Sequence, residues 1–377
     1  MLLSVIIVNY KVKYFLEQCL CSVKAAIGNR QSAIEVFVVD NNSNDGSVEY
    51  IQQRFPFVRV IANTQNTGFA KANNQALQLA TGKYILFLNP DTILPGNAVD
   101  SCIRFMEEHT NAGALGVYMI DGSGRFLQES KRGFPSPWRS FCKMSGLTKL
   151  FPSSKLFAGY YLGHLPDDKT HEVDILSGAY MLVRKEALDK TGGFDEQFFM
   201  YAEDIDLSYR IQQAGYKNYY LPECIIIHFK GESTVKDNRY TLLFYKAMIQ
   251  FVQKHFRGGG AWLYTRLLKM AIWWKTGKRQ NAERLTLNAT EDAFYITGDL
   301  QSIEEAKNIL RAKTIVTDSA NANTIVFCEG ETFSYQKLIQ LVSMLPKDKK
   351  AFIHGKGTNS AVASYSKARQ GETAVLN

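Results

Sequence analysis

Short, strongly apolar segments alternate with amphipathic ones along the first part of the chain. Residues 84–88 form a continuous run of large apolar side chains, which is the pattern of a strand buried on both faces. Residues 14–23 instead repeat their apolar positions at the spacing of one helix face. This alternation predicts an α/β domain with a mostly parallel sheet. Strands are predicted at 5–10, 35–40, 58–61, 84–88 and 112–117, and helices at 14–23, 48–55, 69–77 and 239–256.

Two of these strands lead directly into an acidic residue. Asp40 ends the strand 35–40 and opens a loop rich in Asn, Asp, Ser and Gly, and Asp91 follows the strand 84–88 after a proline. Open α/β sheets bind ligands at the carboxyl ends of their strands, and carboxylates there suit a divalent cation that bridges a diphosphate. An ordinary Asx-rich turn at Asp40 and an exposed turn residue at Asp91 are the alternatives.

Three carboxylates lie within four positions at Glu203, Asp204 and Asp206, directly behind an apolar, aromatic run. Like charges this close raise one another's pKa unless a cation, a metal or backbone N–H groups offset them, and a raised pKa suits a catalytic base. The alternative is a helix N-terminus, where acidic residues suit the helix dipole and Asp206 forms an i,i+4 pair with Arg210.

A second, smaller α/β unit is predicted from about residue 294 onwards. Its Gly355–Ser360 loop is rich in glycine and could cradle a phosphate, but it lacks the P-loop spacing. We therefore expect an accessory domain whose role the sequence does not define. Its strands are predicted at 294–298, 314–317, 324–328 and 351–355, and its helices at 303–312 and 334–345. Between residues 131 and 169 no clear period is found, and we expect part of an acceptor-binding lid there.

The positive charge is concentrated in one segment. The chain has 377 residues and a net charge of +8, and residues 236–284 alone contain eleven Lys and Arg against two acidic residues. Such a surface implies an anionic partner, but no nucleic-acid module signature accompanies it. The six cysteines show neither zinc-type spacing nor disulfide density, which fits a reducing cytosol.

Residues 262–275 predict an amphipathic helix inside this basic segment. One broad face is apolar, tryptophans lie at both ends, and Lys278 and Arg279 follow. These features are typical of a helix that lies on an anionic membrane surface. Packing on its own domain, or on the partner in a homodimer, is the alternative. No apolar run is long enough to predict a spanning helix.

Seven short motifs follow one another in a fixed order over roughly the first two-thirds of the chain. They are Val5–Tyr10, Val38–Ser47, Asn66–Ala70, Leu88–Asp91, Ser177–Ala179, Gly193–Glu196 and Glu203–Asp206. Each is weak alone, whereas the ordered set is specific. Together they resemble the inverting glycosyltransferases of family 2, and within that family the rhamnosyltransferase-like branch.

The resemblance implies the GT-A fold, in which a nucleotide-binding α/β half joins an acceptor-binding half, and it implies a divalent metal ion, Mg or Mn. Asp91 and His228 are the metal ligands implied by position. The family usually has Asp-x-Asp where this chain has Asn89 before Asp91, so only Asp91 supplies a charged ligand. A purely structural role is the alternative for the histidine.

The resemblance also implies roles for other residues. Asp204 matches the catalytic base, with Glu203 and Asp206 in support through acceptor contacts or by anchoring the helix. Asp40 is implied to contact the nucleobase, and Gly178 and Ala179 to allow close backbone approach to the sugar. The full donor site implied is Asn9, Asp40, Asn42, Gly68, Phe69, Asn73, Asn89, Gly178 and Ala179.

The expected organisation is a GT-A glycosyltransferase domain at 1–257, a basic amphipathic linker at 258–290 and an accessory α/β domain at 291–377. The expected function is metal-dependent, inverting transfer of a sugar, rhamnose from dTDP-rhamnose, to a polysaccharide or lipid-linked saccharide on the cytoplasmic face of the membrane. A UDP-sugar remains an open donor. The alternatives are a catalytically silent scaffold that binds nucleotide-sugar or lipid, and a nucleotidyltransferase.

Overall fold

The computed structural model describes residues 1–232, 238–255, 293–310, 313–346, 348–364 and 371–375. The linker predicted at 258–290, with its basic helix, lies outside the described residues. Within the described part, no helix is long and apolar enough to cross a membrane.

The described helices and strands alternate as the hydrophobic pattern predicts. The strands are β1 Leu3–Asn9, β2 Ile34–Asp40, β3 Val58–Ala62, β4 Tyr84–Leu88, β5 Thr92–Ile93, β6 Ala112–Ile120, β7 His171–Val173, β8 Tyr180–Arg184, β9 Lys217–His228, β10 Ala293–Gly298, β11 Thr314–Ile315, β12 Thr324–Cys328, β13 Lys350–His354, β14 Ser360–Ala363 and β15 Glu372–Val375. The helices are α1 Lys13–Ile27, α2 Ser47–Arg54, α3 Phe69–Leu77, α4 Ala98–Glu108, α5 Pro137–Ser145, α6 Leu147–Leu150, α7 Lys185–Thr191, α8 Glu203–Gln213, α9 Asn238–His255, α10 Leu300–Ile309 and α11 Tyr335–Ser343.

The first nine strands form one sheet in the order β3-β2-β1-β4-β8-β6-β9-β5, with β7 also paired to β9. The four strands from β3 to β4 are parallel, as the sequence predicts. Beyond them, β8 runs antiparallel to both β4 and β6, while β6 and β9 are parallel. The sheet therefore has a Rossmann-like half and a mixed half, and the two meet beside the end of β4.

Helices cover both faces of this sheet. On one face, α1 and α4 bury Leu16, Leu20 and Met106 against the strands. On the other face, α3, α7 and α8 bury Ala76 and Leu207, among others. This three-layer arrangement holds the strand ends rigid, and the functional side chains follow those ends.

The region 131–169 contains two short helices that the hydrophobic pattern does not predict. The Ser136 side chain accepts a hydrogen bond from Arg139 N, and Pro137 occupies the first turn of α5. Both are standard signals for a helix start. Residues 121–124 form a hairpin turn after β6, in which Asp121 N donates to Arg125 O at 2.9 Å.

The remaining strands form a second sheet in the order β11-β10-β12-β13-β14-β15. The first four are parallel, and the last two, which the sequence does not predict, are antiparallel. The Gly355–Ser360 loop already uses its amides within the chain. Gly357 N donates to Glu305 Oε2 at 2.8 Å and Lys356 N to Glu329 Oε2 at 3.2 Å. These carboxylates occupy the place that a phosphate would need.

The second sheet packs directly on the first. One apolar core contains Phe15 and Phe229 from the first unit together with Phe333 and Leu338 from the second. Beside it, the Glu17 side chain is fully buried and accepts hydrogen bonds from Tyr50 Oη and from Ser360 Oγ, each at 2.6 Å. A buried carboxylate that depends on donors from both units ties them together.

We expect Ser360→Ala to lower the free energy of unfolding by about 1.5–3 kcal/mol, the usual contribution of a hydrogen bond to a charged group. The reason is that one Glu17 oxygen loses its hydroxyl donor inside the interface. Denaturant unfolding followed by fluorescence measures the change, and Ser343→Ala, at an exposed helix end, is the control. An unchanged midpoint for Ser360→Ala would contradict this account of the interface.

Candidate active site

A cavity of about 340 Å³ opens where the two halves of the first sheet meet. Segments that follow β4 and β9 line it, together with the segment before β8 and the first turn of α8. Its lining residues are Val8, Phe69, Asn89, Pro90, Asp91, Glu129, Arg132, Lys143, Tyr160, Tyr161, Ser177, Gly178, Ala179, Met200, Tyr201, Glu203, Asp204, His228, Lys230 and Gly231. Eight of the predicted site residues therefore reach one cavity: Phe69, Asn89, Asp91, Gly178, Ala179, Glu203, Asp204 and His228.

Asp91, Asn89 and His228 lie together at one end of the cavity. The antiparallel pairing of Thr92 with His228 brings the two segments side by side. His228 Nε2 is 3.5 Å from Asp91 Oδ1 and 3.3 Å from Asn89 Nδ2. Burial opposes the ionisation of Asp91, but attraction to His228 and the hydrogen bond from Lys230 N lower its pKa overall.

This donor set fits a divalent cation. A buried, ionised carboxylate and an imidazole point at each other, and the Asn89 side-chain amide lies in the same group with its nitrogen near the imidazole. Such ligands, completed by diphosphate oxygens, suit Mg or Mn. Among the described residues, no group of three or more His, Cys, Asp and Glu side chains is placed to hold a metal alone.

Asp204 lies in the first turn of α8 and lines the same cavity. Its Oδ2 accepts a hydrogen bond from Arg132 Nη2 at 2.5 Å and a longer one from Gly178 N at 3.3 Å, while Oδ1 accepts from Ile205 N at 2.8 Å. The Asp204 side chain keeps 15% of its surface exposed. The carboxylate is thus fixed in orientation and remains reachable from the cavity.

Glu203, the neighbouring carboxyl group, has a different environment. Burial, followed by repulsion from Asp204, raises the pKa of Glu203 to about 8. Its Oε2 is buried and has no hydrogen-bond partner among the described residues. Just before it, Tyr201 and Ala202 adopt left-handed backbone conformations with φ of 71° and 65°. Such strain in non-glycine residues is typical of functional sites and here aims the first turn of α8 at the cavity.

The pH dependence of stability tests this environment. An acid whose pKa is higher in the folded protein binds its proton more tightly there, so the free energy of unfolding falls as pH rises from about 4.5 towards 8. Glu203→Gln removes this contribution. We expect the variant to gain stability relative to the wild type across that pH range, measured by denaturant unfolding. If the free energies of unfolding of the two proteins differ by the same amount at every pH, the raised pKa of Glu203 is contradicted.

The sequence analysis did not identify several charged and aromatic side chains of the lining. Arg132, Lys143, Tyr160 and Tyr161 all come from the region 131–169 in which no period was found. The Lys143 ammonium lies 3.7 Å from the centre of the Tyr160 ring, and burial lowers its pKa. Their only sequence signal was the richness of this region in basic and aromatic residues, which does not say which of them face inwards.

Glu129 and Lys230 form a further ion pair that the sequence analysis missed. Burial opposes the ionisation of Glu129, but the Lys230 charge outweighs it and lowers the pKa of Glu129 to about 2. Lys230 N also donates to Asp91 Oδ2 at 3.0 Å. Lys230 therefore contacts Glu129 through its ammonium group and Asp91 through its backbone N–H.

Asp40, Asn9 and Asn42 do not line this cavity. Asn9 and Asp40 are in register on β1 and β2, and Asn9 Nδ2 donates to Asp40 Oδ1 at 2.7 Å. Asp40 also accepts from Ser43 N and Ser43 Oγ, so its carboxylate shapes the loop after β2. Asp40 and Asn42 line a separate depression with Asn44 and Asn63. Asn9 is fully buried, which leaves it a supporting position.

The glycines proposed for the donor site have two different environments. Gly68 has a φ of 85°, and a Cβ there would lie 2.6 Å from Phe199 O, so the backbone of α3 packs tightly on the segment before α8. At Gly178 the nearest atom to an added Cβ would be the Asp204 Cβ at 3.5 Å, an ordinary contact. Asn73 is buried and donates to Phe69 O at 2.9 Å, which positions the Phe69 ring.

Asp206 lies outside the cavity. It is fully buried and contacts three basic side chains: Arg210 Nε and Lys254 Nζ at 2.7 Å and His255 Nε2 at 2.6 Å. These contacts fasten α9 to α8. Of the two roles considered for Asp206, anchoring of the helix is the one with contacts in the structure.

This arrangement of an α/β sheet with acidic side chains at its strand ends agrees with the sequence comparisons. Residues 4–192, half of the chain, match glycosyl transferase family 2, and residues 146–256 also match glycosyl transferase family 21. The chain belongs to glycosyl transferase family 2, and its first sheet has the GT-A fold expected for that family. It is an enzyme of the glycosyltransferase class, which sets aside the silent scaffold and the nucleotidyltransferase.

Within the family, the chain is similar to rhamnosyltransferases. It is 31% identical over 246 residues to the N-acetylglucosaminyl-diphospho-decaprenol L-rhamnosyltransferase of Mycobacterium tuberculosis, covering 62% of this chain and 78% of that protein. It is 31% identical to the rhamnosyltransferase WbbL of Escherichia coli over 172 residues, covering 43% and 61%. A solved mannosyltransferase from Pyrobaculum calidifontis overlaps 72% of this chain and 69% of its own, with 18% identity and a TM-score of 0.47.

Proposed function

We propose that the protein is a metal-dependent, inverting glycosyltransferase that moves rhamnose from dTDP-rhamnose to a hydroxyl group of a polysaccharide or lipid-linked saccharide. One observation carries the proposal. Asp204, a fixed and partly exposed carboxylate, lines the same cavity as the Asp91, Asn89 and His228 group. A base and a diphosphate site on one cavity are the two elements that inverting sugar transfer needs.

In the proposed reaction, Asp204 accepts the proton of the acceptor hydroxyl as that oxygen bonds to the anomeric carbon. The bond from the anomeric carbon to the diphosphate oxygen breaks with its electron pair, which leaves dTDP and a glycoside of opposite anomeric configuration. Arg132 holds the Asp204 carboxylate in place. When bound by Asp91 and His228, the divalent cation would offset the charge of the departing diphosphate.

Two unpartnered polar atoms support substrate binding beside Asp204. Glu203 Oε2 and Arg132 Nε are both buried without a hydrogen-bond partner among the described residues, and both residues line the cavity. An unsatisfied buried polar group is costly, so a bound sugar hydroxyl would relieve both. The partly exposed Tyr161 ring offers an apolar surface on which a saccharide can stack.

The donor and acceptor are inferred from the relatives. Two similar proteins are named rhamnosyltransferases, and the name of the mycobacterial one describes a decaprenol-linked diphosphate sugar. We propose dTDP as the nucleotide, with UDP as the competitor that experiment must exclude.

A thermal-shift panel tests the donor site. dTDP, UDP and GDP are each added with and without Mn or Mg to the wild type, to Asp91→Asn, and to Asp189→Asn as a control at an exposed helix position. We expect metal-dependent stabilisation by dTDP, about 2.7 kcal/mol at a hundredfold excess over Kd, lost in Asp91→Asn and kept in the control. Absence of stabilisation by any nucleotide in the folded wild type would overturn the proposal.

A further inference from the structure

Five large apolar side chains are exposed on one short stretch of the chain. Trp138, Phe141, Leu150, Phe151 and Leu156 expose 45, 54, 71, 50 and 58% of their surface. We call them the apolar patch; they belong to α5, α6 and the loop that follows. Exposed clusters of this kind mark interaction sites more often than single exposed residues do.

The patch is held together by its own contacts. The Trp138 and Phe141 rings stack with centres 5.8 Å apart, and Phe157 contacts both Trp138 and Phe151, at 6.1 and 5.2 Å. Trp138 Nε1 donates to Leu156 O at 2.9 Å, which joins α5 to the loop. The apolar side chains therefore present one preorganised surface.

The charge around the patch has a single sign. Residues 131–166 contain six Lys and Arg and no Asp or Glu. Lys131, Arg132 and Arg139 pair with carboxylates elsewhere in the fold, whereas the exposed Lys149 and Lys155 pair with none among the described residues. Two uncompensated cations thus lie next to the exposed apolar side chains.

The patch adjoins the active site. Helix α5 carries Trp138 and Phe141 on its exposed side and Lys143 in the cavity lining, and the chain returns from Leu156 to the lining residues Tyr160 and Tyr161. A surface that engages the patch would therefore lie beside the cavity.

We propose that the apolar patch docks the enzyme on the surface of an anionic lipid bilayer. Exposed Trp, Phe and Leu enter the boundary between head groups and acyl chains, and Lys149 and Lys155 contact the anionic head groups. Protein interfaces are depleted of lysine, so a fringe of unpaired lysines favours lipid over a protein partner. The benefit for catalysis rests on the proposed function, because it is a lipid-linked acceptor that docking delivers to the cavity.

Vesicle co-sedimentation of the full chain tests the docking. The probes are vesicles of phosphatidylcholine alone and of phosphatidylcholine with phosphatidylglycerol. The test variant is Leu150→Ser with Leu156→Ser, which leaves the backbone acceptor of Trp138 in place. Leu300→Ser with Met344→Ser is the matched control, because these side chains are 80% and 67% exposed on α10 and just after α11. We expect the partition coefficient on anionic vesicles to fall at least about tenfold for the patch variant and to stay unchanged for the control.

Charge is tested separately with Lys149→Glu and Lys155→Glu, which should weaken binding to anionic vesicles and leave the weaker binding to neutral ones unchanged. Equal vesicle binding by the wild type and the leucine variant would overturn the proposal, since another segment would then supply the affinity. A wild-type dimer that becomes a monomer in the leucine variant would overturn it as well. Sugar transfer by the wild type to a short-chain, water-soluble acceptor is measured in parallel. Absence of transfer contradicts the proposed function. Transfer by the wild type, together with equal vesicle binding by the wild type and the leucine variant, contradicts only the docking.

Discussion

Replacing Asp204 by Asn lowers the rate of sugar transfer by about two to four orders of magnitude, the usual contribution of a general base. The amide keeps the shape of the side chain and cannot accept the proton of the acceptor hydroxyl. Nucleotide binding should persist, because Asp204 contacts Arg132 and Gly178, whereas the implied metal ligand Asp91 contacts His228 and Lys230. The transfer rate is measured at saturating donor, and nucleotide binding is measured by the thermal shift with dTDP and metal. The two measurements separate a loss of catalysis from a loss of binding.

The substitution also leaves Arg132 without its charged partner. Removing one member of a buried ion pair is itself destabilising. The double variant Asp204→Asn with Arg132→Gln removes both charges, so it separates the loss of the base from the effect of an unpaired Arg132. Glu223→Gln, at an exposed position of β9, is the control for loss of a carboxylate. If Asp204→Asn retains near wild-type transfer rates while folded, Asp204 is not the base.

Replacing Asp206 by Asn has the largest expected effect on stability. Its fully buried carboxylate contacts Arg210, Lys254 and His255, and the positive charges of Arg210 and Lys254 would lose their common partner. Removal of one member of a buried charged cluster costs about 3–5 kcal/mol. We expect a loss of that size in the free energy of unfolding, measured by denaturant titration.

Asp189→Asn provides the comparison, because Asp189 and Lys185 form an exposed i,i+4 pair that contributes about 0.3–0.5 kcal/mol. The folded fraction of Asp206→Asn should still bind nucleotide, since Asp206 does not line the cavity. A small stability loss joined to a large loss of transfer would instead assign Asp206 a direct part in the chemistry.

The periodic parts of the fold were predictable. Strands such as 84–88 are buried on both faces and carry an unbroken apolar signal, so β4 and its parallel neighbours follow from the sequence. Strands β14 and β15 have a weaker signal: three of the four residues of Ser360–Ala363 are small, so the segment lacks a strong apolar pattern although all four are buried. Helix α5 was missed because its apolar side chains lie on the exposed side.

The site was predictable only where a motif fixed it. Asp91 and Asp204 lie in the ordered set of motifs, the family resemblance implied His228, and all three line one cavity. Arg132, which contacts Asp204, is 72 positions away along the chain, and only the fold brings the two together. Asp206 shows the converse: it shares the acidic motif with Asp204, but the helix turns its carboxylate towards α9, away from the cavity.

The most direct test of the central claim is the anomeric configuration of the product. The enzyme is incubated with dTDP-rhamnose, Mn or Mg and a saccharide acceptor, and the new glycosidic bond is identified by NMR. Direct attack by the acceptor hydroxyl, with Asp204 as base, predicts a configuration opposite to that of the donor. Retention of the donor configuration, or no transfer by folded protein that binds the nucleotide, would contradict the account.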